Sequence, residues 1–187
     1  MSFDLEKQLR FALASALTLT AKEAQAAVIA DIERTFTVRN GWDKPSNAMG
    51  IRVLPAAKDD LTAAVATRAD WLSLHETGGE KTPQGEHLAV PTANVRRSKR
   101  EIILASQRPR ALEGRSTVVL PLRRGGQMIF QRKGKGKKSR LVPLYRLIPR
   151  AHIRQQSTFT APVAQVVEKR FSDLLFQQLV KAVRTAR

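Results

Sequence analysis

Four side chains of this sequence have the chemistry to gather around a divalent cation: His75 with Glu76, and Glu86 with His87. Imidazole and carboxylate are ligands that zinc accepts. Neither pair, however, has the i, i+4 histidine spacing that sets two ligands on one helix face, and Gly78, Gly79, Pro83 and Gly85 lie between the pairs. They read as loop residues with paired surface charges. The run from Arg132 to Arg140 has the lysines and glycines of a phosphate-cradling loop. Gln131 stands where the first glycine of that motif belongs, and the predicted context is strand–turn–strand rather than strand–loop–helix. The serines and threonines form no nucleophile-elbow pattern. Cysteine is absent, which removes thiolate nucleophiles, thiolate metal sites and disulfides together. The expectation is a protein that is not an enzyme and holds no cofactor and no metal.

What remains is charge. The 187 residues carry a net +17, and its distribution tells more than its total. Residues 1–94 hold 10 Lys/Arg and 12 Asp/Glu, whereas residues 95–154 hold 18 and 2. A block of like charge repels itself and calls for a counter-charge, and duplex phosphate offers one negative charge per about 1.7 Å of axis. Twelve residues are expected to face DNA or a partner: Arg96, Arg97, Lys99, Arg100, Arg123, Arg124, Arg132, Lys133, Lys135, Lys137, Lys138 and Arg140. Aromatics are 5% of the chain and none falls within 96–115 or 131–144, so base stacking is poorly served. Contact with a backbone, without base readout, fits the pattern.

The elements that must position these residues follow from periodicity. Leu5, Leu9, Leu13, Ala16 and Leu17 recur at helical spacing, and Thr20 to Glu23 has the form of a capping box, which leaves residues 4–35 open between one helix and two. Phe36, Val38, Ile51 and Val53 alternate with polar residues, Asn40-Gly41 and Asn47 to Gly50 are turns, and a small antiparallel sheet is expected. Pro109 is expected to interrupt any helix. Thr117–Leu122 and Gln127–Phe130 flank Arg123-Arg124-Gly125-Gly126 as a hairpin, and Leu141–Tyr145 brings a further strand back after a flexible basic tip at 131–140. Val163, Val166, Val167, Phe171, Leu174, Leu175, Leu179 and Val183 stripe a C-terminal helix with Pro162 in its first turn. The fold class is α+β: an antiparallel sheet flanked by a long N-terminal helix or helix pair and a C-terminal helix, with an extended basic hairpin, in a single domain over 1–187. Asp4 and Glu6 precede any apolar run, so neither a signal peptide nor a membrane span is expected.

The order of short motifs resembles a known family. An alanine-rich helix leads into Phe36-Thr37-Val38-Arg39-Asn40-Gly41-Trp42, then Gly50-Ile51-Arg52-Val53, Leu74-His75-Glu76-Thr77-Gly78-Gly79, Lys81-Thr82-Pro83 and Leu88-Ala89-Val90-Pro91. This progression resembles the minor tail protein Z (tail-completion) family of long-tailed bacteriophages, and the wider group of head–tail connector and neck proteins. The likeness covers about residues 10–92, and the rest in layout alone. It implies a structural subunit of the virion neck or tail, assembled in the host bacterial cytoplasm. Its first partner would be itself, in a closed ring of six copies or, alternatively, twelve. Portal-side connector proteins and tail-terminator or tail-tube proteins would adjoin it, double-stranded DNA would pass through the lumen, and no membrane would be involved. The alternative from another class is a free, sequence-nonspecific nucleic-acid-binding protein with a basic hairpin; a nuclease built on His75, Glu76, Glu86 and His87 ranks third.

Overall fold

The computed structural model describes residues 5–114, 116–123, 125–134 and 136–185. Contacts gather into two compact units: residues 1–77 with 155–187, and residues 78–154. The class is α+β.

In the first unit, α1 is one helix, Leu5–Thr35, about 46 Å long at 1.5 Å per residue. The capping-box reading of Thr20 to Glu23 fails. Thr20 lies buried in mid-helix, where its hydroxyl donates to the Ala16 carbonyl at 2.9 Å, the back-bond a threonine makes when no helix end needs it. Buried positions recur at every fourth residue: Ala12, Ala16, Thr20, Ala24, Val28 and Ile32. Four residues overshoot one turn by about 40°, so the buried line winds round the helix. Small residues come first, facing α4 (Thr160–Thr185). Val28 and Ile32 then enter a core with Ile51, Ala69 and Leu72. Residues 161–166 of α4 lie beside 27–34 of α1, and 163–171 beside 17–24, so the two helices run antiparallel. Of the predicted α4 stripe, Leu174 is buried, Val167 and Val183 are exposed, and Ala182 takes the second buried place.

Residues 36–38 are not strand. The small sheet is β1 (Arg52–Leu54) against β2 (Ala64–Ala66), antiparallel, and α2 (Trp71–Thr77) follows. The loop before β1 is tight: Lys44, Asn47 and Gly50 each donate a backbone N–H to the residue three before it. A Cβ on Gly50 would stand 1.8 Å from the Lys44 carbonyl oxygen, which is why glycine is required there.

The second unit holds β3 (Gly79–Lys81) paired with β8 (Ala151–Ile153). It also holds a four-stranded antiparallel sheet of β4 (Leu88–Pro91), β7 (Arg140–Ile148), β6 (Gln127–Lys133) and β5 (Thr117–Pro121), in that order. Val95, Leu112, Leu144 and Tyr145 form its core, with Ala89, Ile103, Ile129 and Val142 against them. Pro109 does not interrupt a helix but begins one, the short α3 (Pro109–Leu112), since the first helical position needs no N–H. Leu144 and Tyr145 are neighbours in one strand, yet both are buried. The ladder shifts register there: Ile129 pairs with Tyr145, and Phe130 with Pro143. The extra residue of a bulge allows two consecutive side chains to turn towards one core.

Candidate polyanion-binding surface

The boundary between the units is also a boundary in charge. Residues 78–154 carry 19 Lys/Arg and 4 Asp/Glu, a net of +15, while the other unit carries 14 and 12, a net of +2. Two of the four carboxylates of the basic unit already stand beside cations, Glu80 3.0 Å from Arg150 and Glu101 3.9 Å from Arg97, and a third, Glu86, lies 3.9 Å from the His87 ring.

Three turns present the basic residues. In the first, Ser98 accepts from the backbone N–H of Glu101 and donates to the Ile102 carbonyl, with Arg97 and Ile103 bridged behind it. Lys99 and Arg100 occupy its centre, exposed, with Arg96 exposed beside the bridge. Arg97 turns back and donates to the Glu101 carbonyl. Glu101 holds a positive φ of 61°, a left-handed conformation that side chains resist.

The second turn joins β5 to β6. Leu122 accepts from Gly125 N–H and donates to Gly126, both glycines having positive φ. Arg123 is exposed there; Arg124 lies outside the described residues.

The third joins β6 to β7. The strands reach further into the basic run than a tip of 131–140 implies, because Gln131, Arg132 and Lys133 pair with Val142, Leu141 and Arg140. A turn of 134–139 remains, with a 3-10 segment at Gly136–Lys138. Arg132, Lys138 and Arg140 are exposed, and Lys133 is half-buried. Lys135 lies outside the described residues, as does the Lys137 side chain.

Those of the twelve predicted residues whose side chains are described therefore do not form one cluster. The second and third turns sit at opposite ends of β6, about 20 Å apart at 3.4 Å per residue. Lys133 and Arg140 are brought together on one face, and Arg132 projects from the other. Burial pushes the pKa of the Tyr145 hydroxyl up, an effect that Arg97 and Arg108, the latter overlooked by sequence reasoning, offset only in part. The hydroxyl donates to the Gln107 carbonyl at 2.8 Å.

The residues with metal-ligand chemistry have other roles. Glu76 anchors the start of α4, accepting from Phe159 and Thr160 N–H. His75 stands edge-on to Phe36 and Trp71, at 5.0 and 5.6 Å between ring centroids. Among the described residues no group of three or more His, Cys, Asp or Glu is placed to hold a metal ion, and no helix is long and apolar enough to cross a membrane. Another feature that periodicity could not reveal is Asp43, fully buried, whose carboxylate has Lys44 at 3.5 Å, while Lys44 also pairs with Glu33. No protein-family profile, no curated protein and no solved structure matches the chain.

Proposed function

We propose that this chain is a non-enzymatic structural protein that contacts duplex DNA through charge alone, as a head–tail connector or tail-completion ring subunit of a long-tailed bacteriophage. The observation that carries the reading is the coincidence of charge with fold: one compact unit carries net +15 and the other net +2. Solubility needs no such segregation. A unit with so few carboxylates must find its counter-charge outside itself, and a phosphate backbone supplies that charge without any readout of bases.

The near-neutral unit would form the ring body. Its long helix pair exposes Leu9, Phe11, Phe176 and Val183, between 46% and 69% accessible, which is apolar surface for a neighbouring copy. In a closed ring each subunit meets its two neighbours through different surfaces. The basic unit would then line the DNA path, where weak, many-point contacts hold the duplex without arresting it.

Light scattering and negative-stain electron microscopy test the assembly: rings of six, or alternatively twelve, copies are expected. Fluorescence anisotropy with duplexes of unrelated sequence tests the contact, which should weaken steeply with salt and equally for every sequence. A monomer that prefers one sequence would refute the proposal in favour of a free nucleic-acid-binding protein.

A further inference from the structure

Lys133 and Arg140 are the last pair of the β6–β7 ladder. Directly opposite residues share a face, with Cβ atoms about 4.5–5.5 Å apart, and like charges placed there repel. Neither is ion-paired among the described residues, and the carboxylates of Glu80 and Glu101 stand beside other cations. The pairing depends on the bulge. Without the extra residue at Leu144, continuous register from Ile129 and Tyr145 would set Lys133 opposite Leu141 and leave Arg140 opposite Gly134. Gly134 closes the turn behind them at φ 93°, so tightly that a Cβ would meet the Lys138 carbonyl oxygen at 2.8 Å. The backbone thus forces two cations together at a ladder end where an apolar or acidic partner would relieve the repulsion.

We propose that Lys133 and Arg140 form one phosphate clamp, which takes a single phosphodiester of the DNA backbone between an ammonium and a guanidinium. This rests on the reading of the basic unit as a DNA-contacting surface. The two groups are complementary: arginine supplies a planar fork for two phosphate oxygens, and lysine a compact charge on a flexible stem.

The test uses the full chain and a mixed-sequence duplex, with affinity measured across a salt series for wild type, K133Q, R140Q, the double variant and R123Q. In a shared site either single variant forfeits most of the affinity that the double loses, and the double flattens the slope of log K against log[salt] by about 0.9, one phosphate. R123Q, at the far end of β6, adds its loss independently. Thermal midpoints of the clamp variants at low salt should be no lower than wild type, since repulsion is removed. Additive losses with a slope change of about 1.8 would overturn the clamp in favour of two separate contacts. A double variant that binds duplex normally but is no longer retained on poly-glutamate would overturn it in favour of an acidic protein neighbour. If R123Q weakens binding and the clamp variants do not, the clamp fails while the DNA reading stands. Wild type that binds no duplex even at low salt sinks both.

Discussion

Replacing Glu76 with alanine removes the anchor of α4. The carboxylate, one residue from the end of α2, accepts the backbone N–H of Phe159 at 2.6 Å and of Thr160 at 3.2 Å, with the hydroxyls of Thr158 and Ser157 at 3.3 and 3.5 Å. Those amides are orphan donors at the positive end of a 26-residue helix. Loss of a capping side chain costs about 0.5–2 kcal/mol, and hydrogen bonds to a charged group are worth about 1.5–3 kcal/mol. The two figures describe the same contacts and do not add. Thr158 is 3% exposed, so water restores little at that hydroxyl, and about 2–3 kcal/mol is expected. Glu76→Gln keeps one acceptor oxygen and should cost about 1 kcal/mol.

The pH dependence sharpens the test. Burial pushes the Glu76 carboxyl up, but the amides of Thr160 and Phe159, with help from Thr160's side chain and the Thr158 amide, outweigh it and hold the pKa below the ordinary carboxylate value. Its contribution is therefore complete above the unfolded value of about 4.3 and is lost as pH falls through the lower folded value. Urea midpoints for wild type and Glu76→Gln should stand apart at pH 6 and draw together as pH falls below the unfolded value of about 4.3. Parallel curves down to pH 3, or an alanine variant within about 0.5 kcal/mol of wild type, would refute this account of the cap.

Leu174→Ala should destabilise by about 2–5 kcal/mol, because that side chain is 6% exposed, while Phe176→Ala at 69% exposure should stay within about 0.5 kcal/mol in denaturant titration of the monomer. Gly50→Ala drives a methyl into the Lys44 carbonyl and should cost about 3 kcal/mol or more, read as a lower urea midpoint. Glu101→Gly relieves a left-handed φ at the cost of a weak, exposed contact with Arg97 at 3.9 Å, and should raise the urea midpoint, a gain of about 1 kcal/mol.

The parts of the fold that were legible in sequence are those set by local pattern. The turn glycines at 125 and 126, the strands around them and the apolar stripe of the last helix each need only a few neighbouring residues. Thr20 to Glu23 was misread because a hydroxyl followed three residues later by a glutamate has the same spelling at a helix start and in mid-helix. What separates the two is whether burial continues through it, and here the every-fourth-residue line does so. Glu23 instead reaches Arg170, 147 residues on. Glu76 was legible only as a charged residue in a loop, because its partners lie more than 80 residues away. The division into two units was hidden because the first unit is completed by a helix at the other end of the chain.

Pro143 connects the core of the basic unit to its charged edge. A proline lacks the N–H that a ladder requires, so within a central strand it belongs at a bulge, and β7 is central, between β4 and β6. The bulge beside it turns Leu144 and Tyr145 together into the core. The carbonyls of that stretch are not left idle: Pro143 accepts from the Thr92 hydroxyl and the Asn94 amide at 2.8 and 3.0 Å, and Leu144 accepts from Thr92 N–H at 2.8 Å. The same one-residue shift sets the register of everything beyond it, and so sets Arg140 against Lys133 and Leu141 against Arg132. Burial of Tyr145 and the placing of two cations on one face are therefore consequences of a single irregularity. A change that straightened β7 would disturb the core and separate the cations together, whereas a change at Lys133 or Arg140 alone would leave the core intact. That asymmetry predicts that K133Q and R140Q do not lower the thermal midpoint of the unit, whereas a change that removes the bulge lowers it.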